Sequence, residues 1–326
     1  MMQRAARLPA PALGPEDVRE ACARVARLAR AVFIDDERLA SFADRLLESP
    51  PAPHYDTDVH FRGGEEDTLA YVLTLDAINF GSGWFSRLRK DPGRSGYGTI
   101  AARLSERFVR HGPWTASMLT TLPPTKLASI FAQEASGDIG ELMRLYAVSL
   151  RALGVWLLEH WRGEFAGPVR AAGGSACRLV EHLSQCPAFH DTHPYAGGSI
   201  PLLKRAQIAA WDLALAFDHQ GLGAFRDIDR LTAFADNVVP HVLRLGGVLR
   251  YRDDLAWRID SGQRIVAGSP EEIELRACSV DAVERIVARH RAGSTCAALV
   301  DCLLWNTPRD ARFRSLPRHQ TRTTCY

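Results

Sequence analysis

The sequence predicts an all-α protein, folded as a single helical domain with few or no strands. Three observations carry this. Apolar residues recur at i, i+3 and i+4 along most of the 326 residues, the period of an amphipathic helix. Two-residue alternation is scarce. No fixed-period repeat and no low-complexity linker divides the chain. Hydrophobic residues at 46% and charged residues at 24% are a globular composition with ample core material. The balance of 40 Lys+Arg against 38 Asp+Glu leaves a net charge of +2. That argues against a long nucleic-acid duplex as partner, which wants a strongly basic face. No window approaches the ~18 consecutive apolar residues of a membrane span. No charged start followed by an apolar core reads as a signal peptide, so a cytoplasmic protein is expected.

Residues 1–14 are rich in Ala, Pro and Arg and read as a loose arm before a domain over 15–326. A helix starts near Pro15, a good first-turn residue, with Glu16 and Asp17 at its positive end. Val18, Cys22, Val25 and Leu28 form its stripe. A second helix spans roughly 36–48, with Leu39, Phe42, Leu46 and Leu47 on one face. The Pro/Gly-rich segment 49–66 is a loop carrying His54, Tyr55, His60 and Phe61. The apolar run 68–80 fits a buried helix or a strand by periodicity; its length favours helix. Asp76 and Asn79 then share a face. A Gly/Arg-rich turn follows at 87–98, and the pattern from 99 to 165 is helical. Gly173–Gly174 open a further helix that Cys186–Pro187 close. A Gly/Pro stretch at 190–200 leads to the helix containing LLKRAQIAAWDLALAF. Two more helices fit VVPHVLRLGG and IELRACSVDAVERIVARH. The helical segment ALVDCLLWN precedes a basic coil to Tyr326.

Seven cysteines occur without a CxxC pair or zinc-ligand spacing, so neither a disulfide nor a metal is expected. GxGxxG, P-loop, HExxH and GxSxG are absent, and no cofactor is expected. The basic residues are almost all Arg; Lys90, Lys126 and Lys204 are the lysines. A Lys within a helix therefore stands out. The most informative segment is AFADNVVPHVLRLGG at 233–247, with the skeleton D-x-x-V-x-x-V-L-x-x-G. Asp236 precedes the stripe Val239, Val242, Leu243, at a helix start where free N–H groups meet a carboxylate. It is either a simple helix cap or an ionised group whose pKa those N–H groups lower. The second suits a cationic transition state.

That skeleton resembles the catalytic stretch of helix-hairpin-helix base-excision DNA glycosylases, in which an Asp opens the helix after the hairpin. Pro201 to Gln207 resembles the helix that follows their hairpin, where some members carry a Lys, here Lys204. A closer resemblance runs nearly end to end, to the queuosine salvage proteins, queuosine 5′-phosphate N-glycosylases with a DNA-glycosylase-like helical core. The segments that carry it are VFIDDERL (32–39), HF (60–61), YVLTLDAINFGSGW (71–84), LLKRAQI (202–208), LTAFADNVVPHVLRLGGVLRY (231–251), EIELRACSV (272–280), LVDCLLWN (299–306) and HQTRTTCY (319–326).

The resemblance implies a small nucleotide as partner: cleavage of queuosine 5′-monophosphate into queuine and ribose 5-phosphate. It implies that Asp236 is the carboxylate stabilising positive charge on the ribose. Asp236 either aligns or deprotonates the attacking water. Lys204 either contacts the phosphate or pairs with Asp236. Asp301, Trp305 and Asn306 on the last helix are candidates for the base. Relatives often have Asp where Asn306 stands. Phe234 either stacks on the base or staples the helix. Asn237 adjoins the catalytic Asp. His60 is a candidate contact to base or sugar. Asp76 and Asn79 either line the pocket or satisfy buried backbone. Arg205, His319, Arg322 and Tyr326 are further phosphate candidates. Two other classes share these features: a DNA glycosylase for damaged bases, and a non-catalytic queuine-binding protein.

Overall fold

The computed structural model describes residues 12–48, 52–290, 295–307 and 316–326. Most of the expected N-terminal arm lies outside these residues. The chain opens with α1 (Pro15–Leu28), whose Asp17 carboxylate accepts the Gly14 N–H at 2.8 Å. Strand β1 (Val32–Ile34) and α2 (Asp36–Leu46) follow, the latter capped by Asp35. Helix α3 (Glu65–Ala77) is buried on every side from Thr68 to Ala77. This explains why its apolar run shows no single stripe. Then come α4 (Gly96–His111), α5 (Ala116–Thr121), α6 (Pro124–Ile130), α7 (Gly137–Trp161), α8 (Ala166–Ala172) and α9 (Ala176–Ser184). Strands β2 (Thr192–Tyr195) and β3 (Gly198–Pro201) lead into α10 (Lys204–Ala216). The rest is α11 (Val239–Leu245), β4 (Leu249–Tyr251), α12 (Asp253–Asp260), α13 (Pro270–Arg289) and α14 (Ala297–Asn306).

The regular structure is thus mostly helical, with two small antiparallel sheets among the described residues. In one, β1 pairs with β4, Phe33 opposite Arg250. The other lies in the Gly/Pro stretch 190–200, which carries no strand signal in the sequence: β2 and β3 form a hairpin with Thr192 opposite Pro201. Its two turn residues, Ala196 and Gly197, take φ of 46° and 77°. Positive φ at both positions is the turn that matches strand twist. Each strand is four residues long and carries a Pro, so no alternation announces it.

One contiguous buried cluster runs from Val18 to Leu304. The long α7 packs on α3, α5 and α6, while α1 lies along α13. Helix α10 sits between α3 and α9. Through α10 the core meets the segment 231–238, which has no regular structure and leads into α11. Among the described residues no helix is long and apolar enough to cross a membrane.

Candidate active site

The segment 231–238 is buried yet non-helical, so its backbone groups need partners from elsewhere. They come from three elements. Gln207 on α10 accepts the Thr232 N–H at 2.9 Å and donates to its hydroxyl at 2.8 Å. Asp301 on α14 accepts the Phe234 N–H at 2.8 Å. Arg276 on α13 donates to the Ala235 carbonyl at 2.9 Å. A fourth tie runs from the Asn237 side chain to the His319 carbonyl at 3.3 Å. Asp236 is thereby presented on a scaffold fixed before any ligand arrives.

The Asp236 carboxylate accepts the N–H groups of Val238 at 2.7 Å and Val239 at 3.1 Å. It lies two residues before the N-cap, Val238, and so holds the turn that leads into α11 rather than occupying the cap position itself. The expected lowering of its pKa does not follow. Burial pushes the carboxyl up, and this outweighs the Lys204 charge, the two N–H groups and the Arg318 charge. Desolvation dominates because Asp236 is 9% exposed and opposite charges only partly repay it.

Lys204 is the first residue of α10, entered through Leu203 at φ 50°. Its ammonium donates to the Asn79 carbonyl and side-chain oxygen, each at 3.0 Å. It makes no direct ion pair with Asp236 among the described residues; the two interact through space. Burial lowers the Lys204 pKa, opposed first by Asp236 and then by Asp76. Asn79 in turn donates to Asp76 at 3.1 Å, so the two sequence candidates do meet. Asp76 is fully buried and pushed well above the carboxylate range by burial and by Asp212. Asp301 is also pushed well up, by burial and by the Asp236 charge.

Phe234 is buried, its ring 6.5 Å from that of Trp211. His60 bonds the Tyr97 hydroxyl at 2.9 Å, and burial lowers its pKa. Tyr97 meets Trp305 edge-on at 6.1 Å. Trp305 is 41% exposed, so its ring reaches the surface. Other candidates are engaged elsewhere. Asn306 is exposed and donates to Cys302 on its own helix. Arg205 donates to the Ala77 carbonyl and lies over Phe80 and Phe189. Arg322 pairs with Asp138 and Glu141 and stacks on Trp84. Tyr326 is buried, its hydroxyl 3.2 Å from His319 Nε2 and its ring under Arg276.

Three groups emerge that sequence reasoning does not single out. Asp212 lies eight residues after Lys204 on α10, on the same helical face, and burial raises its pKa to about 7. That i+8 spacing is a usable signal. Arg318 faces Asp236 from the tail, with no spacing to announce it. The third is the fully buried pair Asp191–Arg276, joined at 2.7 and 3.0 Å. Asp191 also accepts the Lys204 backbone N–H at 3.1 Å. One ion pair thus holds the start of α10 and, through Ala235, the segment that presents Asp236. Asp191, His193 and Cys325 place ligand atoms within 4.8 Å of one another. Arg276 engages both Asp191 oxygens, and the contact with Asp191 raises His193 to about 10. A guanidinium and an imidazolium in one cluster oppose a metal cation there.

The arrangement is a buried cluster of acidic groups, with one carboxylate fixed just before a helix and a buried Lys whose charge acts on it. It suits stabilisation of a cationic sugar. The queuosine salvage protein family matches residues 59–326. A relative from Sphaerobacter thermophilus is 38% identical over 93% of this chain and 95% of its own length. Its name is queuosine 5′-phosphate N-glycosylase/hydrolase. Relatives of the same name from Mus musculus and Schizosaccharomyces pombe are 28% and 29% identical, over 96% and 78% of this chain. They are covered over 99% and 78% of their own lengths. This chain belongs to the queuosine salvage protein family.

Proposed function

We propose that this protein hydrolyses the N-glycosidic bond of queuosine 5′-monophosphate, releasing queuine and ribose 5-phosphate. The observation that carries this reading is Asp236, buried, held by two backbone N–H groups and facing Lys204, in a chain that spans nearly the full length of relatives bearing that activity in their name.

The bond from ribose C1′ to the base breaks with its electron pair leaving on the base. Positive charge develops on the ribose ring. Asp236, ionised and preorganised, stabilises that charge in a site with little water. Its raised pKa also makes it a better base toward the water that attacks C1′. The water gives its hydroxyl to the sugar and, in sum, its proton to the base. Queuine has carbon where guanine has N7, so no proton can be accepted there. Asp301 supplies the complementary role. One of its oxygens is fixed by the Phe234 N–H, and burial beside the Asp236 charge pushes its pKa well up, favouring the protonated form. It therefore donates to the departing ring. Two carboxyl groups with unequal pKa divide the acid and base work. Lys204 has three donors, and Asn79 engages two. The third, together with Arg318, reads the 5′-phosphate. The substrate is a free mononucleotide, and the reaction belongs to a reducing cytoplasm.

The test is a chromatographic assay with queuosine 5′-monophosphate, queuosine and guanosine 5′-monophosphate. Queuine should appear fastest from the queuosine 5′-monophosphate. Asp236→Asn should fold normally and lose roughly 10²–10⁴ in kcat. Full activity of that variant overturns the role of Asp236. No release from the folded wild type overturns the reaction.

A further inference from the structure

Helix α7 is 25 residues long, and one of its faces meets solvent. Its inner face packs on α3, α5 and α6. From that side Ser149 and Tyr146 donate to the Ala77 and Phe80 carbonyls at 2.6 and 2.9 Å. The outer stripe is Arg144, Val148, Arg151, Val155, Leu158 and Glu159. Such a stripe is ordinarily polar. Here Val148, Val155 and Leu158 are 59%, 38% and 45% exposed. Scattered apolar residues need no explanation, but three on one helical stripe form a patch. Helix propensity does not account for them, since Val is a poorer helix former than the straight-chain residues. Helix α5, which meets α7 at Gly154, exposes Met118 as well.

The charges say what covers this face. Arg144 lies four residues before Val148, and Glu159 four residues after Val155. The stripe thus runs cation, Val, Val, anion, and it is its own complement when reversed. A second α7 laid antiparallel, with a two-fold axis between Arg151 and Ala152, sets Val148 against the partner's Val155. The same axis sets Arg144 against the partner's Glu159. Both charges are exposed, and neither has an ion-pair partner among the described residues. A parallel pairing would set like charges together instead. Arg151 falls beside the axis but is drawn off the face, because its Nε donates to the Thr120 carbonyl at 3.1 Å.

We propose that the outer face of α7 is an interface between two copies of this chain, packed antiparallel about a two-fold axis. The contact is isologous: one patch meets itself. From Arg144 to Glu159 the stripe is about 22 Å long. One helix from each copy buries less than the ~800 Å² per partner of a standard interface. The dimer is therefore concentration-dependent rather than obligate. The face points away from α3, so each copy keeps its own candidate active site uncovered.

The experiment is sedimentation velocity of the full chain at low salt, over roughly a hundredfold range of concentration. Wild type should pass from monomer to dimer as concentration rises. Val148→Asp should hold the chain monomeric throughout, with an unchanged circular dichroism spectrum. Arg144→Glu and Glu159→Arg should each weaken association about tenfold, since each charge contact is made twice and becomes a repulsion. The two together should restore association, because the charges then meet in exchanged order. The two residues stand too far apart on α7 to touch within one chain, so restoration reads a contact between copies. A wild type that stays monomeric at every concentration overturns the proposal. So does a dimer that survives Val148→Asp, which would place the interface elsewhere. A combined variant no better than the single ones overturns the antiparallel pairing and the proposal with it.

Discussion

Asp236 and Asp301 are two buried carboxyl groups whose surroundings set them apart. Asp236 is raised by burial but opposed by Lys204, two N–H groups and Arg318. Asp301 is raised further, because the Asp236 charge adds to burial and one N–H with Lys204 opposes them. The sign of the pH dependence follows. Asp236 acts as the ionised base, so kcat/KM rises with pH through its pKa, which burial raises above the ordinary value. Asp301 acts as the protonated acid, so kcat/KM falls again once pH exceeds its higher pKa. A bell-shaped profile is expected, and Asp301→Asn should remove the alkaline limb while lowering the plateau. A profile with the alkaline limb intact in that variant would assign it to another group. At this scale the sequence was partly legible. Asp236 and Lys204 stand out because one precedes an apolar stripe and the other is a rare Lys. The direction of the Asp236 shift was not legible, since N–H groups at a helix start can be read from a pattern and burial cannot. Asp212 shared a face with Lys204, yet an acid on one face of a helix reads first as solvated.

Asp191 follows the turn Pro187–Phe189 and Arg276 lies within α13, 85 residues later. The pair fastens the β2–β3 hairpin and the start of α10 to the segment carrying Asp236. Both side chains are essentially inaccessible, at 1% and 0%. Removing one partner leaves an uncompensated buried charge. Asp191→Ala or Arg276→Ala should therefore cost roughly 3–5 kcal/mol in denaturant unfolding. Asp191→Leu combined with Arg276→Met should regain much of that stability, since apolar replacements of a buried pair are often neutral. Its kcat should stay low, because Ala235 loses its donor and Lys204 its backbone acceptor. Full activity in the double variant would show that the ion pair does not position the site. Helices such as α1, α7 and α13 were legible because their stripes are local. The hairpin was not, because each strand is four residues long and contains a Pro. The β1–β4 pair was not legible either, since strands more than two hundred residues apart share no local signal.

The whole molecule closes its site with segments from far apart in the chain, and the last eleven residues show how. By composition they are a basic tail, which favours fraying. In the structure His319, Thr321 and Tyr326 are buried. The Gln320 carbonyl accepts the Ile265 N–H at 2.9 Å, and the Tyr326 carbonyl accepts the Gly81 N–H at 3.1 Å. His319 accepts from Asn237, beside Asp236. The tail thus links the α3 exit to the catalytic segment. Gly83 is where this closure is tightest. A Cβ there would lie 2.3 Å from the Thr321 carbonyl oxygen, a backbone atom that cannot rotate away. Gly83→Ala must displace the tail, at a cost of roughly 1–3 kcal/mol for overpacking. Hydrogen exchange should quicken across 319–326, and kcat should fall several-fold although residue 83 is not part of the proposed chemistry. Faster exchange of the tail with unchanged kcat would mean that the tail only covers the core. Loss of both together would mean that the arrangement around Asp236 depends on contacts closed from the far end of the chain. The second outcome is the one expected, because Asn237 is tied to the same segment that Gly83→Ala would move.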